Sequence, residues 1–338
     1  MALLQEPAPL GPSAAEAWEQ RKAGLETGSL TLEDGRTLSF HIDGDRRSGK
    51  PVILLLHGML SSRVMWVSHA PPEKCVYVVP SRPGYADSSD PGPRYTLTHF
   101  ARDIERLMDH LGIGEFSVIG HSSGGPPALA VAAALGRRRV KVVACLGGDT
   151  EYSNPSPRTP VDPVAKDMLW CFAGVFRRWW TPFFVPFILR RCQFLFMLLG
   201  RLASRRTALF LRAMLRPEEL PMWEEARGDN FFRIALCEST RAAVDPSPMR
   251  SGMAGMINDF AAERLRRFDF DASAIKSKVL FWSGELDKPC LDPTLFNHEV
   301  LCPSSELRVV PNRGHLGVLA PDTLAELVDA VLAAAATT

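Results

Sequence analysis

The stretch Phe116-Ser117-Val118-Ile119-Gly120-His121-Ser122-Ser123-Gly124-Gly125 admits few folds. A run with β-branched residues leads into Gly-x-Ser-x-Gly, and an alanine-rich segment from Ala128 to Leu135 follows. The pattern predicts strand, sharp turn and helix, with Ser122 at the apex. A serine on so tight a turn leaves no room for side chains two residues to either side, so glycine at 120 and 124 lets the backbones approach. The helix behind the turn aims its amide groups and the positive end of its dipole at Ser122, where they stabilise developing negative charge. Glycine and serine are common residues, so the motif alone is weak. Its place between a strand and a helix favours a nucleophile over an ordinary turn serine.

The rest of the chain repeats this rhythm. A short helix around Ala14 to Leu25 precedes two segments, Ser29–Glu33 and Arg36–Ile42, that flank the hairpin signal Asp34-Gly35. Pro51 to Leu56 is a continuous apolar run, as expected of a strand buried on both faces of a parallel sheet. Further runs of this kind are Cys75–Val79, Val140–Leu146, Val279–Trp282 and Leu307–Val310. Between them, Phe100, Ile104, Leu107, Met108 and Leu111 fall at helical spacing with Gly112 as the stop, and a last helix carries Leu324, Leu327, Val328, Val331 and Leu332 on one face. Strands alternating with helices predict an α/β fold, a mostly parallel sheet with helices on both faces.

From about Thr150 to Met256 the rhythm breaks, with many prolines and aromatics. A chain of 338 residues suits one large α/β domain with an insertion. We therefore expect residues 1–149 and 257–338 to form the core and 150–256 a helical cap. A net charge of +1 gives no general reason to expect nucleic acid. The seven cysteines are odd in number, widely spaced and without Cys-x-x-Cys, which argues against a disulfide framework or a zinc site and fits a reducing compartment. The N-terminal stretch lacks the basic start and apolar core of a signal peptide, so the expectation is a cytoplasmic protein.

Two strand ends complete a chemistry. Val279–Trp282 runs into Ser283-Gly284-Glu285-Leu286-Asp287, and Leu307–Val310 into Pro311-Asn312-Arg313-Gly314-His315. Ligands bind at this edge of open α/β sheets. A serine hydroxyl needs a base within reach, and the base needs an acid to fix its tautomer and stabilise the imidazolium. The chain order Ser122, Asp287, His315 is that of the α/β-hydrolases, not of chymotrypsin or subtilisin.

The chain resembles the α/β-hydrolase fold superfamily, in its cap-bearing serine esterase and lipase-like group. The resemblance rests on Leu54-Leu55-Leu56-His57-Gly58, Arg82-Pro83-Gly84-Tyr85-Ala86-Asp87-Ser88, Gly120-His121-Ser122-Ser123-Gly124, Gly284-Glu285-Leu286-Asp287 and Gly314-His315. It implies an oxyanion hole made by the backbone amides of Met59 and Ser123, and it implies no metal or cofactor. His57 reads as a structural loop histidine and His121 as a packing residue. Many relatives carry an acid before Arg-Pro-Gly where this chain has Ser81, so a structural ion pair is expected to be missing. Asp149 follows a strand where some relatives place the triad acid; Asp287 is preferred. Asp259 reads as structural. Serine in place of an aspartate nucleophile argues against epoxide hydrolysis and dehalogenation.

The insertion is the most individual part. Between Lys166 and Arg216 stand ten Lys or Arg residues and one Asp, paired as Arg177-Arg178, Arg190-Arg191 and Arg205-Arg206 among apolar blocks. The apolar run is interrupted too early for a membrane span. One reading is a basic, aromatic lid resting on an anionic membrane. The other, which is favoured, is a helical cap with solvated arginines whose Trp179, Trp180, Phe183 and Phe184 line the substrate pocket. The expected function is hydrolysis of carboxylic esters of apolar acyl groups through an acyl-enzyme. The alternatives are an acyltransferase or thioesterase with the same triad, or a noncatalytic ligand-binding member of the fold.

Overall fold

A computed structural model describes residues 12–68, 73–92, 94–151, 206–220, 223, 232–245, 254–259, 262 and 267–337. In chain order the main elements are α1 (Pro12–Ala23), β1 (Glu26–Thr31), β2 (Thr37–Asp43), β3 (Val52–Leu56), β4 (Val76–Pro80), α2 (Leu97–His110), β5 (Phe116–His121), α3 (Gly125–Arg139) and β6 (Val140–Leu146). After the undescribed stretch come α4 (Thr207–Met214), α5 (Phe232–Val244), α6 (Ala254–Asp259), β7 (Lys278–Gly284), α7 (Lys288–Phe296), β8 (Glu306–Val310) and α8 (Pro321–Ala336).

The eight strands form one sheet in the order β1-β2-β4-β3-β5-β6-β7-β8. The hairpin β1–β2 is antiparallel and adds antiparallel to β4, and every later neighbour pair is parallel. Alternation along the strands feeds two apolar layers. Leu54 and Leu56 on β3, with Val118 and Phe281, pack with Phe100, Ile104 and Leu107 of α2 and Leu129 of α3. Ile53 and Leu55 face the other way, with Ile119 and Trp282, onto Leu324, Leu327 and Val331 of α8. Both faces are therefore covered, which is why the strands read as unbroken apolar runs. At about 1.5–3 kcal/mol for each fully buried aliphatic side chain, these layers dominate the energetics of the core.

Thr96 caps α2, its hydroxyl accepting from the His99 amide. Regular geometry in α3 stops at Gly136, whose φ of 68° no alanine adopts comfortably. The insertion is not detached from this core where it is described. Leu211 of α4, Trp223, and Phe232 and Leu236 of α5 join the same layer as α8. Ser239 of α5 bonds Ser61, Ser62 and the Ser62 amide in the loop after β3. Helix α7 has no counterpart in the expected pattern, because Pro289 and Pro293 disguise it. Among the described residues no helix is long and apolar enough to cross a membrane.

Candidate active site

Strand β5 ends at His121, so Ser122 is the first residue past it. Its φ of 54° is left-handed, a conformation that costs a non-glycine residue of order 1 kcal/mol or more and holds only where the surroundings enforce it. Those surroundings are backbone. A Cβ at position 120 would stand 2.1 Å from the Gly124 carbonyl oxygen, and one at 124 would stand 2.6 Å from that of Leu56. The motif glycines are thus required by close approach, as the sequence implied. The Ser122 carbonyl accepts from the Gly125 amide, which fixes the turn to the start of α3.

Across the sheet edge, His315 donates from Nδ1 to Oδ2 of Asp287 at 2.7 Å. The two loops that carry this pair are tied together, since the Leu286 amide donates to the Arg313 carbonyl and the Asn312 amide to Glu285 Oε2. Asp287 is fully buried, whereas the imidazole is a quarter exposed. Gly147, at the end of β6, lies against both: a Cβ there would be 3.0 Å from Asp287 Oδ2 and 3.3 Å from His315 Nδ1. Burial pushes His315 toward its neutral form, but the facing Asp287 charge, with Cys290 behind it, raises its pKa well above the ordinary histidine value.

His121 joins the two halves. Its ring lies 4.8 Å from that of His315, and its Nε2 meets the His315 carbonyl at 3.1 Å. Burial, then the His315 charge, pushes its pKa down to about 3, so it is neutral and donates from Nε2 to that carbonyl. It therefore does more than pack.

The second candidate acid is bonded to another side chain. Asp149 accepts from the Ser123 hydroxyl at 2.7 Å, and its own carbonyl accepts from Asn297. The carboxylate bonded to the histidine is that of Asp287. His57 is a backbone-bonded loop residue: Nε2 accepts from the Arg82 amide and Nδ1 donates to the Gly58 carbonyl. Gly58 brings this loop against the nucleophile, with only 2.9 Å between the site of a Cβ there and Ser122 Cβ. Met59 follows Gly58 in the chain, and Ser123 follows Ser122.

The expected loss of an ion pair at Ser81 is corrected. Arg82 has a carboxylate partner, Asp259 on α6, through two hydrogen bonds of 2.7 and 2.8 Å. Three residues near the dyad had no signal in the sequence. Cys290 on α7 places its sulfur within 4.8 Å of a carboxylate oxygen of Asp287 and a ring nitrogen of His315. Arg216 lies 3.7 Å from Asp287 Oδ1, and Glu219 accepts from the Leu316 amide at 3.0 Å. Trp179, Trp180, Phe183 and Phe184 lie outside the described residues.

Comparison with known proteins bears on the family and the fold. Over 131 residues, 38% of this chain and 47% of the relative, it is 32% identical to RutD of Caulobacter vibrioides, a proposed carbamate hydrolase. The chain thus spans about half the length of that curated relative. In fold it is similar to a carboxylesterase structure from Nitrososphaera gargenis (TM-score 0.59, 17% identity, 92% of this chain and 99% of that one). It is also similar to an esterase of Thermogutta terrifontis (TM-score 0.55, 21% identity, 90% and 99%). Residues 51–320 match the family described as the alpha/beta hydrolase fold, and with its sheet order, its serine turn and its histidine loop the chain belongs to that family.

Proposed function

We propose that the protein is a serine hydrolase that cleaves carboxylic esters of apolar acyl groups through an acyl-enzyme intermediate. The hydrogen bond from His315 Nδ1 to Asp287 carries this reading, because it commits one ring nitrogen and leaves Nε2 to serve Ser122. In the first half-reaction His315 takes the hydroxyl proton as Ser122 attacks the carbonyl carbon. The Met59 and Ser123 amides receive the tetrahedral oxyanion, and His315 then protonates the departing alcohol. Water, deprotonated by the same histidine, attacks the acyl-enzyme, and Ser122 leaves with the proton returned to it. These steps need no cofactor.

A carbamate presents the same carbonyl to the same serine, and the likeness to RutD favours including it as a second substrate class. Acyl transfer and thioester hydrolysis share the acyl-enzyme and differ in what attacks or leaves. A serine at the turn speaks against epoxide opening, which uses a carboxylate nucleophile. The cysteine usage supports a cytoplasmic setting. The basic segment around Arg177 and Arg190 supports peripheral contact with anionic membrane, and Trp179, Trp180, Phe183 and Phe184 are proposed to line the acyl pocket. The test is labelling with a fluorophosphonate probe read by intact mass, followed by p-nitrophenyl esters of rising chain length and one aryl carbamate. A single adduct on Ser122 and turnover that rises with acyl length are expected. Absence of any adduct would leave a ligand-binding member of the fold.

A further inference from the structure

The acid and base of the proposed triad are contacted from a third direction, by the inserted segment. Its short turn Pro217–Glu219 is closed by a hydrogen bond from the Glu219 amide to the Arg216 carbonyl. That closure sets the two side chains on the dyad together. The Arg216 guanidinium stands 3.7 Å from Oδ1 of Asp287, the oxygen that accepts no hydrogen bond from the described residues. A fully buried carboxylate with one unbonded oxygen is costly, and a facing cation offsets part of that cost. Glu219, buried, reaches under the histidine loop and accepts from the Leu316 amide, one residue past His315. The loop is cut to fit it. A Cβ on Gly314 would stand 2.0 Å from Glu219 Oε1 and 2.8 Å from its Cδ.

We propose that the Arg216–Glu219 turn is a positioning clamp, through which the insertion holds both members of the acid–base pair. Arg216 acts on Asp287 and Glu219 on the loop of His315. Neither touches the reacting atoms. The proposal rests on the reading of Ser122, Asp287 and His315 as the catalytic residues, and it makes their reactivity depend on the seating of the insertion.

Ionised Glu219 and the Arg216 guanidinium act on the imidazolium with opposite sign. Burial raises the pKa of Glu219, and the charge on His315 opposes that rise; the same attraction stabilises protonated His315. Arg216 does the reverse, by partly neutralising the carboxylate that favours the imidazolium. The other groups that face His315 are Asp287 after β7, Cys290 on α7 and His121 at the end of β5, with Asp149 after β6 behind His121. Glu218 stands beside Glu219, and Arg216 also lies 3.9 Å from it. Arg313, on the histidine's own loop, is paired with Asp322. All of these stay in place in the variants below.

The test uses full-length protein carrying Glu219→Gln, which keeps the shape and an acceptor oxygen, Arg216→Gln, and Glu219→Ala. The titration of the His315 ring is followed by NMR, assigned by its loss in His315→Gln, and the pH profile of kcat/KM is measured with a p-nitrophenyl ester. Glu219→Gln is expected to lower the His315 pKa, and Arg216→Gln to raise it, each by about half a unit or more. Glu219→Ala should also lower kcat, by about tenfold or more, with Ser122 still labelled by the fluorophosphonate. Gly314→Ala should match it, and the double variant Gly314→Ala/Glu219→Ala should be no worse than Glu219→Ala alone, since the clash is then gone. A purely architectural turn would give shifts of one sign or none. If the wild type labels at Ser122 while both Gln variants titrate as it does, the clamp is overturned and the serine reading stands. If the wild type does not label, the catalytic reading falls and takes the clamp with it.

Discussion

Arg82 and Asp259, 177 residues apart in sequence, form a buried, doubly hydrogen-bonded ion pair. Tyr85 donates its hydroxyl to the same carboxylate, and Arg82 Nε donates to the His57 carbonyl at 2.8 Å. The pair therefore ties the return of the insertion, at α6, to the loop that flanks Ser122. Removing one partner of a buried pair leaves an uncompensated charge, at about 3–5 kcal/mol. Asp259→Ala should lose stability on that scale, read as the urea midpoint, and Asp259→Asn should lose less. A midpoint unchanged in both would show that the pair contributes nothing net.

Ser122→Ala should abolish fluorophosphonate labelling and lower ester turnover about 10⁴-fold or more, with the far-ultraviolet circular dichroism spectrum unchanged. The side chain projects from a backbone-enforced turn and fills no core position. An adduct that persists on another residue would refute the assignment.

Asp287→Asn should cost about 10⁴-fold in kcat, because an amide oriented toward Nδ1 supports the wrong tautomer. Asp149→Asn should cost far less, since its carboxylate serves the Ser123 hydroxyl and not the histidine. Steady-state kinetics on both variants decides the matter, and the reverse ranking would move the acid to position 149.

The acidic limb of kcat/KM should lie above pH 6.5. His315 must be neutral to accept the serine proton, and its pKa is raised against the burial that opposes it, mainly by the Asp287 charge. Activity therefore falls as pH drops through the raised value, and Asp287→Asn should move the limb downward. The stability linkage has the matching sign. A raised histidine pKa contributes stability that is fully present below the unfolded value near 6.5 and is lost as pH climbs through the folded one. A limb at or below 6.5 would contradict the geometry of the dyad.

Vesicles containing phosphatidylserine should retain the protein, neutral vesicles should not, and salt should weaken the retention. Each arginine near an anionic surface contributes about 1 kcal/mol, so replacing Arg177, Arg178, Arg190 and Arg191 by Gln should release it while leaving cleavage of a small soluble ester intact. Equal retention on both vesicle types would restrict this segment to the pocket.

The sheet and the dyad were legible because their residues obey local rules. Strands buried on both faces announce themselves as unbroken apolar runs, and Ser122, Asp287 and His315 each follow such a run by one to five residues. The partners of Arg82, Leu316 and Asp287 were not legible. Glu219 meets a backbone amide 97 residues away, which demands no particular side chain there. Asp259 supplies the carboxylate that a reader looks for beside Arg82 at position 81. Helix α7 hid behind Pro289 and Pro293, which propensity reads as breaks but which the fold places near the start and at an interior position. His121 read as packing because its hydrogen bond goes to the carbonyl of the very histidine it adjoins in space.

The absent side chain at Gly314 restricts how this protein can be recombined. In a modular view, an insertion between two core strands can be exchanged among relatives to change substrate range while the catalytic scaffold is kept. Here the scaffold loop is hollowed for a carboxylate that the insertion brings, with 2.0 Å between that oxygen and the place where a Cβ would sit. A chimera with a foreign insertion inherits an unfilled notch beneath its histidine, and a foreign scaffold with alanine at this position rejects the native insertion. The crossover unit for engineering is therefore the insertion together with the loop from Pro311 to Leu316.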